Sequence, residues 1–568
     1  MEPSACATFD DLGDAELELI FAAVCTTPRG YRHCPGLPVV CRRWRDVYEQ
    51  STVLWQEVRL DWDVCRVQAG ETARARAAHW LLRRLPICRR LLLTGWPDFG
   101  AALQSGDSTP PLAQLFPSGL SGPRLEEVRF VEMVGGSGNA ALGLLRDCPK
   151  LHSLAVAGPQ SMMGRVAALV LQGEALAPLS SLHSLRSLDL LVDKMAGSMR
   201  ELGSALSRLT NLALRCRLEA TAVAPEWLEG LSQLRRLELA SVRLAQFTPR
   251  LAQALSGLTY LSCSDVLAAR AGGRRAGITL WQGLRHLASL QEFRCENQGV
   301  GPVRADMPLN ALVCSSLRRL TLMCTEVADW PRSMLQSYTG RDGCLGALQS
   351  LHLVSLVLRD PIPPAIWPAL APALTCLVWR DIRKPRNREA ILQLAEAQAA
   401  GELAEGAEAF QAVPLPPELS RLQKLRELRV EYAQLDAVPP VVQALTQLTR
   451  LSLEGNRLSS LPEGQYLTGL QALSLANNEF SELPDGLAAC SSLQELWLTG
   501  NAIVLTHAAV ERLADALPYL ESLHLNPLPP HPASVPALNA SEGGMWHEHG
   551  QALGRLVQRL GQRLVMEQ

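Results

Sequence analysis

Residues 448–462 read LTRLSLEGNRLSSLP, residues 470–484 read LQALSLANNEFSELP, and residues 493–505 read LQELWLTGNAIVL. The three stretches start 22 and 23 residues apart and share the pattern LxxLxLxxNxLxxL. Recurrence at such a period marks a chain built from stacked supersecondary units. The LxL part predicts a short strand, because side chains alternate between the two faces of a strand and the leucines then share one face. Leucines at equivalent positions of successive units stack into one continuous core. Asn456, Asn478 and Asn501 fall at the bend after each strand. A buried side-chain amide there can satisfy backbone groups that the bend leaves without partners.

Weaker copies extend the pattern in both directions. Upstream, LRELRV begins at Leu425, LTCLVW at Leu374, LQSLHL at Leu348, LRRLTL at Leu317, LQEFRC at Leu290 and LTYLSC at Leu258. Further back stand LRRLEL at Leu234, LTNLAL at Leu209, LRSLDL at Leu185, LHSLAV at Leu151 and LEEVRF at Leu125, with CRRLLL at Cys88 as the first unit. LESLHL at Leu520 is the last. The pattern resembles that of leucine-rich repeats, in about 16 units spaced irregularly before Leu425. The expected fold class is therefore α/β, a solenoid with a curved parallel sheet on its concave side. Strands stacked at about 4.8 Å give a sheet of about 70–80 Å, a surface suited to a folded protein partner.

Composition agrees with a folded repeat protein. Of 568 residues, 47% are apolar and 19% charged, and the net charge is −2, which argues against a nucleic-acid partner. The 15 cysteines include no Cys-x-x-Cys pair and read as reduced thiols. The acidic N-terminus, MEPSACATFDDLGDAE, carries no apolar secretory core, and no apolar run approaches the roughly 18 residues of a membrane helix. The expected location is the cytoplasm or nucleus, or alternatively the cytoskeleton, with no membrane contact.

Residues 9–62 follow a different pattern. Leu17, Ile20, Phe21 and Val24 share one helical face, with Asp14 as N-cap. A second helix presents Leu37, Val40, Cys41, Trp44 and Val47, and Leu54-Trp55 follows as an apolar anchor. Leu12, Leu17, Ile20, Phe21, the run Val40-Cys41-Arg42-Arg43-Trp44-Arg45, and Leu54-Trp55 resemble the F-box. The family usually has Leu-Pro where this chain has Leu12-Gly13, and its link from Phe21 to Cys41 is shorter. An F-box followed by leucine repeats resembles the substrate receptors of SCF-type ubiquitin ligases. The resemblance implies a Skp-type adaptor, and through it a cullin, bound by Leu12, Leu17, Ile20, Phe21, Leu37, Val40, Trp44, Leu54 and Trp55. It implies that the repeats capture a protein substrate. The alternative is a leucine-rich-repeat scaffold, for signalling or cytoskeletal docking, with no ubiquitin role.

The expected domains are an F-box-like helical module (1–62), a linker helix (63–87), the solenoid (88–528) and a Pro-rich tail with a capping helix (529–568). Insertions fall at 264–282, 296–310 and 381–417. In the tail, Leu553, Leu556, Val557, Leu560 and Leu564 make a helical stripe. Gly135-Gly136-Ser137-Gly138 lacks the Lys-Ser/Thr of a phosphate loop and reads as a turn. No nucleophile motif or paired metal-ligand spacing is present, so neither catalysis, metal nor cofactor is expected. The residues beside the inward leucines should face the concave side. They place Arg319, Arg380, Arg429, Arg450 and Trp497 there, with Glu431, Tyr432 and Glu454 nearby, as the partner-binding surface.

Overall fold

The computed structural model describes residues 42–61, 71–94, 116–158, 168–268, 284–297, 315–328, 344–385, 410–526, 550–558 and 564–566, with short breaks inside these ranges, together with Asp14, Ala15 and Leu17. The chain divides into two compact units, residues 1–258 with 266–273, and residues 259–265 with 274–568.

Among the described residues, the first unit carries seven strands of one parallel sheet: β1 (Glu57–Asp61), β2 (Arg90–Thr94), β3 (Glu127–Val131), β4 (Ser153–Ala157), β5 (Ser187–Val192), β6 (Asn211–Cys216) and β7 (Arg236–Ala240). They pair in that order and in register, so Leu91 lies opposite Val128, Leu154 opposite Leu188, and Leu212 opposite Leu237. In β5, Leu188, Leu190 and Val192 are buried while Ser187, Asp189 and Leu191 are not. That alternation is the LxL pattern made structural.

The sheet starts earlier than the sequence pattern suggests. β1 lies inside the expected F-box-like helical module, and pairs with the expected first strand at Arg90. The sequence VRLDW lacks the Leu-x-x-Leu lead that marks the other units, so neighbouring backbone decides its state. Before it, helix α1 (Arg42–Gln50) is followed by a single tight turn at Leu54–Gln56. After it, helix α2 (Glu71–Arg84) occupies the expected linker. Trp55 is buried and meets Tyr48 and Trp80 edge-on at 5.2 and 5.5 Å. Its Nε1 donates to the Tyr48 carbonyl at 2.6 Å. The Arg84 guanidinium lies 4.3 Å from the ring centres of both Trp55 and Trp80, and burial lowers its pKa. Ser137 and Gly138, expected in a turn, open a helix, Ser137–Leu144.

The second unit carries β8 (Tyr260–Ser264), β9 (Glu292–Asn297), β10 (Arg319–Cys324), β11 (Ser350–Val354), β12 (Cys376–Arg380), β13 (Glu427–Glu431), β14 (Arg450–Ser452), β15 (Ala472–Ser474), β16 (Glu495–Trp497), β17 (Ser522–Leu525) and β18 (Leu564–Met566). All neighbours in this order are parallel. The tail therefore differs from expectation. Residues 550–556 are helical, with Ala552 and Leu556 buried, but Leu564 lies in β18 opposite Leu523 and not on the helical stripe. The 381–417 insertion is closed at its base by antiparallel pairing of Arg383–Pro385 with Phe410–Ala412.

The asparagines act as the pattern predicts. Asn456, Asn478 and Asn501 are buried. Asn456 accepts from the Ala433 and Leu435 amides at 3.0 and 3.2 Å and donates to the Val430 and Leu453 carbonyls at 2.8 Å. Asn478 accepts from Leu458 at 3.1 Å, and Asn501 from Phe480 at 3.2 Å. Each amide thus ties its own bend to the preceding repeat. The residue just before each asparagine has positive φ: Gly455 (70°), Asn477 (54°) and Gly500 (72°). Among the described residues, no helix is long and apolar enough to cross a membrane.

Candidate functional site on the concave face of the second unit

Because leucines fill the inward positions of β13 to β16, every second residue is turned to the open side. The first such row runs Glu427, Arg450, Ala472, Glu495 and the second Arg429, Ser452, Ser474, Trp497, as the strand register requires. A third row holds Glu431, the last residue of β13, and Glu454, Ala476 and Thr499, which lie just past the shorter strands. Ala472, Ser474 and Ala476 are small, so a cleft of about 430 Å³ opens above them, between Arg429 and Arg450 on one side and Trp497 on the other.

The cleft walls are held by specific contacts. Arg429 pairs with Glu427 at 2.8 Å. Burial lowers the Arg429 pKa, but the Glu427 hydrogen bond and charge outweigh it, and the net shift is upward. Arg380 pairs with Glu431 at 3.4 Å, and Ser452 Oγ donates to Glu431 at 2.8 Å. Trp497 stacks on His524, with centroids 5.2 Å apart and planes 18° apart. Arg450 is exposed and makes no ion pair among the described residues.

Tyr432 forms the lip of the cleft. It sits at φ 51°, a left-handed conformation unusual for a bulky residue, and is 39% exposed. Its hydroxyl donates to Glu454 Oε1 at 3.1 Å, and the Arg380 guanidinium lies 5.0 Å from its ring centre. A Cβ on Gly455 would come within 2.5 Å of that ring, so only glycine lets the tyrosine lie flat there. Burial, then the bond to Glu454, raises the Tyr432 pKa.

The expected partner-binding residues separate into groups. Arg429, Arg450, Glu454 and Trp497 line the cleft, and Tyr432 and Arg380 flank it. Glu431 touches the cleft, but it is buried with 5% exposure, so it holds Arg380 and Ser452 instead of offering a free carboxylate. Arg319 lies on β10, which β11 and β12 separate from the cleft, and pairs with Glu292 at 3.4 Å. The sequence reading missed His524, the stacking partner of Trp497. The two residues are 27 apart in sequence and meet only because β16 and β17 are in register.

It also missed a cluster on β11 and β12. His352 Nε2 is 3.0 Å from Ser350 Oγ and 3.6 Å from Cys376 Sγ. Burial lowers the His352 pKa and raises that of the Cys376 thiol. A thiol pushed in that direction is the opposite of an activated nucleophile.

Of the expected adaptor-binding residues, Leu17, Leu54 and Trp55 are buried in this chain, and Trp44 is half-buried on α1. Leu12, Ile20, Phe21, Leu37 and Val40 lie outside the described residues. The burial of Trp55 has a plain cause, since Trp80 and Arg84 of α2 lie against it.

The family model for the leucine rich repeat matches residues 446–503. No curated protein matches the sequence. Among solved structures, a leucine-rich-repeat protein of Leptospira interrogans is 19% identical, with 83% of this chain and 99% of that chain covered and a TM-score of 0.45. An internalin of Listeria monocytogenes is 17% identical over 70% of this chain and 92% of its own, with a TM-score of 0.38. The leucine-rich-repeat domain of APL1B is 14% identical over 70% of this chain and 86% of its own, with a TM-score of 0.34. The matched repeats, the parallel strands in register and the asparagine ties together make the fold a leucine-rich-repeat solenoid.

Proposed function

We propose that the chain is a non-catalytic substrate receptor that captures a protein on its concave face and presents it to an SCF-type ubiquitin ligase. The observation that carries the capture half is the cleft between Arg429, Arg450 and Trp497. Trp, Tyr and Arg dominate binding energy at protein interfaces, and here Arg429, Arg450 and Trp497 stand over a small-residue floor where a partner side chain fits. The ligase half rests on the F-box resemblance of residues 9–62. Phe21 and Trp44 carry the adaptor contact, whereas Leu54 and Trp55 serve that surface indirectly by seating α1 on the first repeats.

Co-purification of tagged full-length chain tests both halves. The wild type recovers a Skp-type adaptor, a cullin and one recurrent further protein. Phe21→Ala with Trp44→Ala loses adaptor and cullin and keeps the further protein. Arg429→Ala, Arg450→Ala and Trp497→Ala together lose the further protein and keep the adaptor. Recovery of adaptor and cullin by the folded Phe21/Trp44 variant would remove the ligase half. Recovery of the further protein by the cleft variant would place capture elsewhere.

A further inference from the structure

A second surface lies along one edge of the first unit, where the chain turns into each strand. At the turn residue before the first inward leucine stand Arg124, Lys150 and Arg208; at the residue after it stand His152, Arg186 and Arg235. All six are exposed. The backbone ladder continues through this edge: Arg186 N donates to the His152 carbonyl at 2.9 Å, Thr210 N to Arg186 at 2.8 Å, and Arg235 N to Thr210 at 2.7 Å. The cations therefore lie on consecutive rungs from β3 to β7, a row of about 19 Å at the usual strand spacing.

The distribution of carboxylates separates this edge from the concave face of the same unit. On the concave face the cations are neutralised at short range, Arg129 by Glu127 at 2.6 Å, Arg215 by Asp189 at 2.6 Å and Arg236 by Glu238 at 2.7 Å. At the edge, Arg124, Lys150, Arg186 and Arg208 form no ion pair among the described residues. Glu126, the one carboxylate at these positions, is engaged by Arg89 at 3.8 Å. Arg186 Nη1 donates to the Leu185 and Arg208 carbonyls and Arg208 Nη1 to that of His183, which leaves the remaining donors of both exposed guanidinium groups for a ligand. A row of like charges in a chain of net charge −2 is a local concentration of positive potential.

We propose that this edge binds an extended acidic segment of a protein partner. The row is one side chain wide and about 19 Å long, the length of about six extended residues. Carboxylates on such a segment meet the guanidinium forks in bidentate geometry. The edge positions hold no phenylalanine, tyrosine or tryptophan on which bases could stack, as single-stranded nucleic acid binding uses. They hold no exposed apolar group to enter a lipid surface.

The test is fluorescence anisotropy of a fluorescein-labelled octa-glutamate peptide with the full chain. Wild type binds, and the affinity falls by about tenfold or more between 50 and 200 mM NaCl, as an exposed ionic contact requires. Arg124→Glu with Lys150→Glu lowers affinity at least tenfold; these two exposed side chains form no hydrogen bond or ion pair among the described residues, so melting is unchanged. The cleft variant, with Arg429, Arg450 and Trp497 changed to Ala, binds octa-glutamate like wild type. Absent or salt-insensitive binding, or equal binding by the charge-reversed variant, overturns the proposal. Oligo-uridylate or phosphatidylserine vesicles bound more tightly than octa-glutamate, and lost in the same variant, also overturn it in favour of those ligands.

Discussion

Replacing the buried asparagines with alanine separates their contributions, because each leaves a different number of backbone groups without partners. In Asn478→Ala the Leu453 carbonyl keeps a donor in Asn456, and the Leu475 carbonyl keeps one in Asn501. The Leu458 amide loses its acceptor. One orphaned buried N–H costs about 1–3 kcal/mol, and with the lost amide bonds the total is about 2–4 kcal/mol. Asn456→Ala orphans two amides, those of Ala433 and Leu435, and costs about 3–7 kcal/mol by the same accounting. Asn477, adjacent to Asn478 but exposed and in the left-handed region, serves as control. Asn477→Gly keeps that backbone conformation and should change stability by less than about 1 kcal/mol. Urea unfolding reads the totals. Hydrogen exchange shows whether the loss is confined to neighbouring repeats, as nearest-neighbour coupling in a solenoid requires. Equal effects for Asn456→Ala and Asn478→Ala, or a control as damaged as either, would refute the assignment of one orphaned amide against two.

Other substitutions probe other parts of the chain. Trp55→Ala should cost about 3–5 kcal/mol, seen as a lower melting temperature, because it empties the site between Tyr48, Trp80 and Arg84; a neutral result would mean that Trp55 is not internal packing. Gly455→Ala should cost at least about 1–2 kcal/mol from its positive φ alone, and quenching or near-ultraviolet dichroism of Tyr432 should change as the new methyl displaces the ring. His352 is held below its ordinary pKa of 6.5 by burial, so the unfolded chain takes up the proton first. The associated stability is fully present above about pH 6.5 and is lost as pH falls through the depressed folded value. His352→Gln should flatten that acid limb in pH-dependent urea midpoints, and an unchanged limb would show that another group causes it.

Much of this protein was legible from residues alone because its repeat is local and periodic. Leu451, Leu453, Leu473 and Leu475 point inward for the same reason at every turn, and a single asparagine per bend can reach only the groups beside it. The cleft was legible in part: alternation placed Arg429, Arg450 and Trp497 on the open side. Alternation says nothing about which open positions become buried or paired. Glu431 follows the outward phase yet is covered, because Arg380 and Ser452 close over it from neighbouring strands. His524 joins Trp497 only through register. The segments that became β1 and β18 carry weak patterns, VRLDW and LVM, and are strands because an adjacent strand offers its unpaired backbone groups. The sequence by itself determined the repeat, its inward face and its asparagine ties, which depend on residues within one unit. Only the tertiary structure decided where the sheet begins and ends and which side chains meet across it, since those outcomes depend on hydrogen bonds and contacts between units 20 or more residues apart.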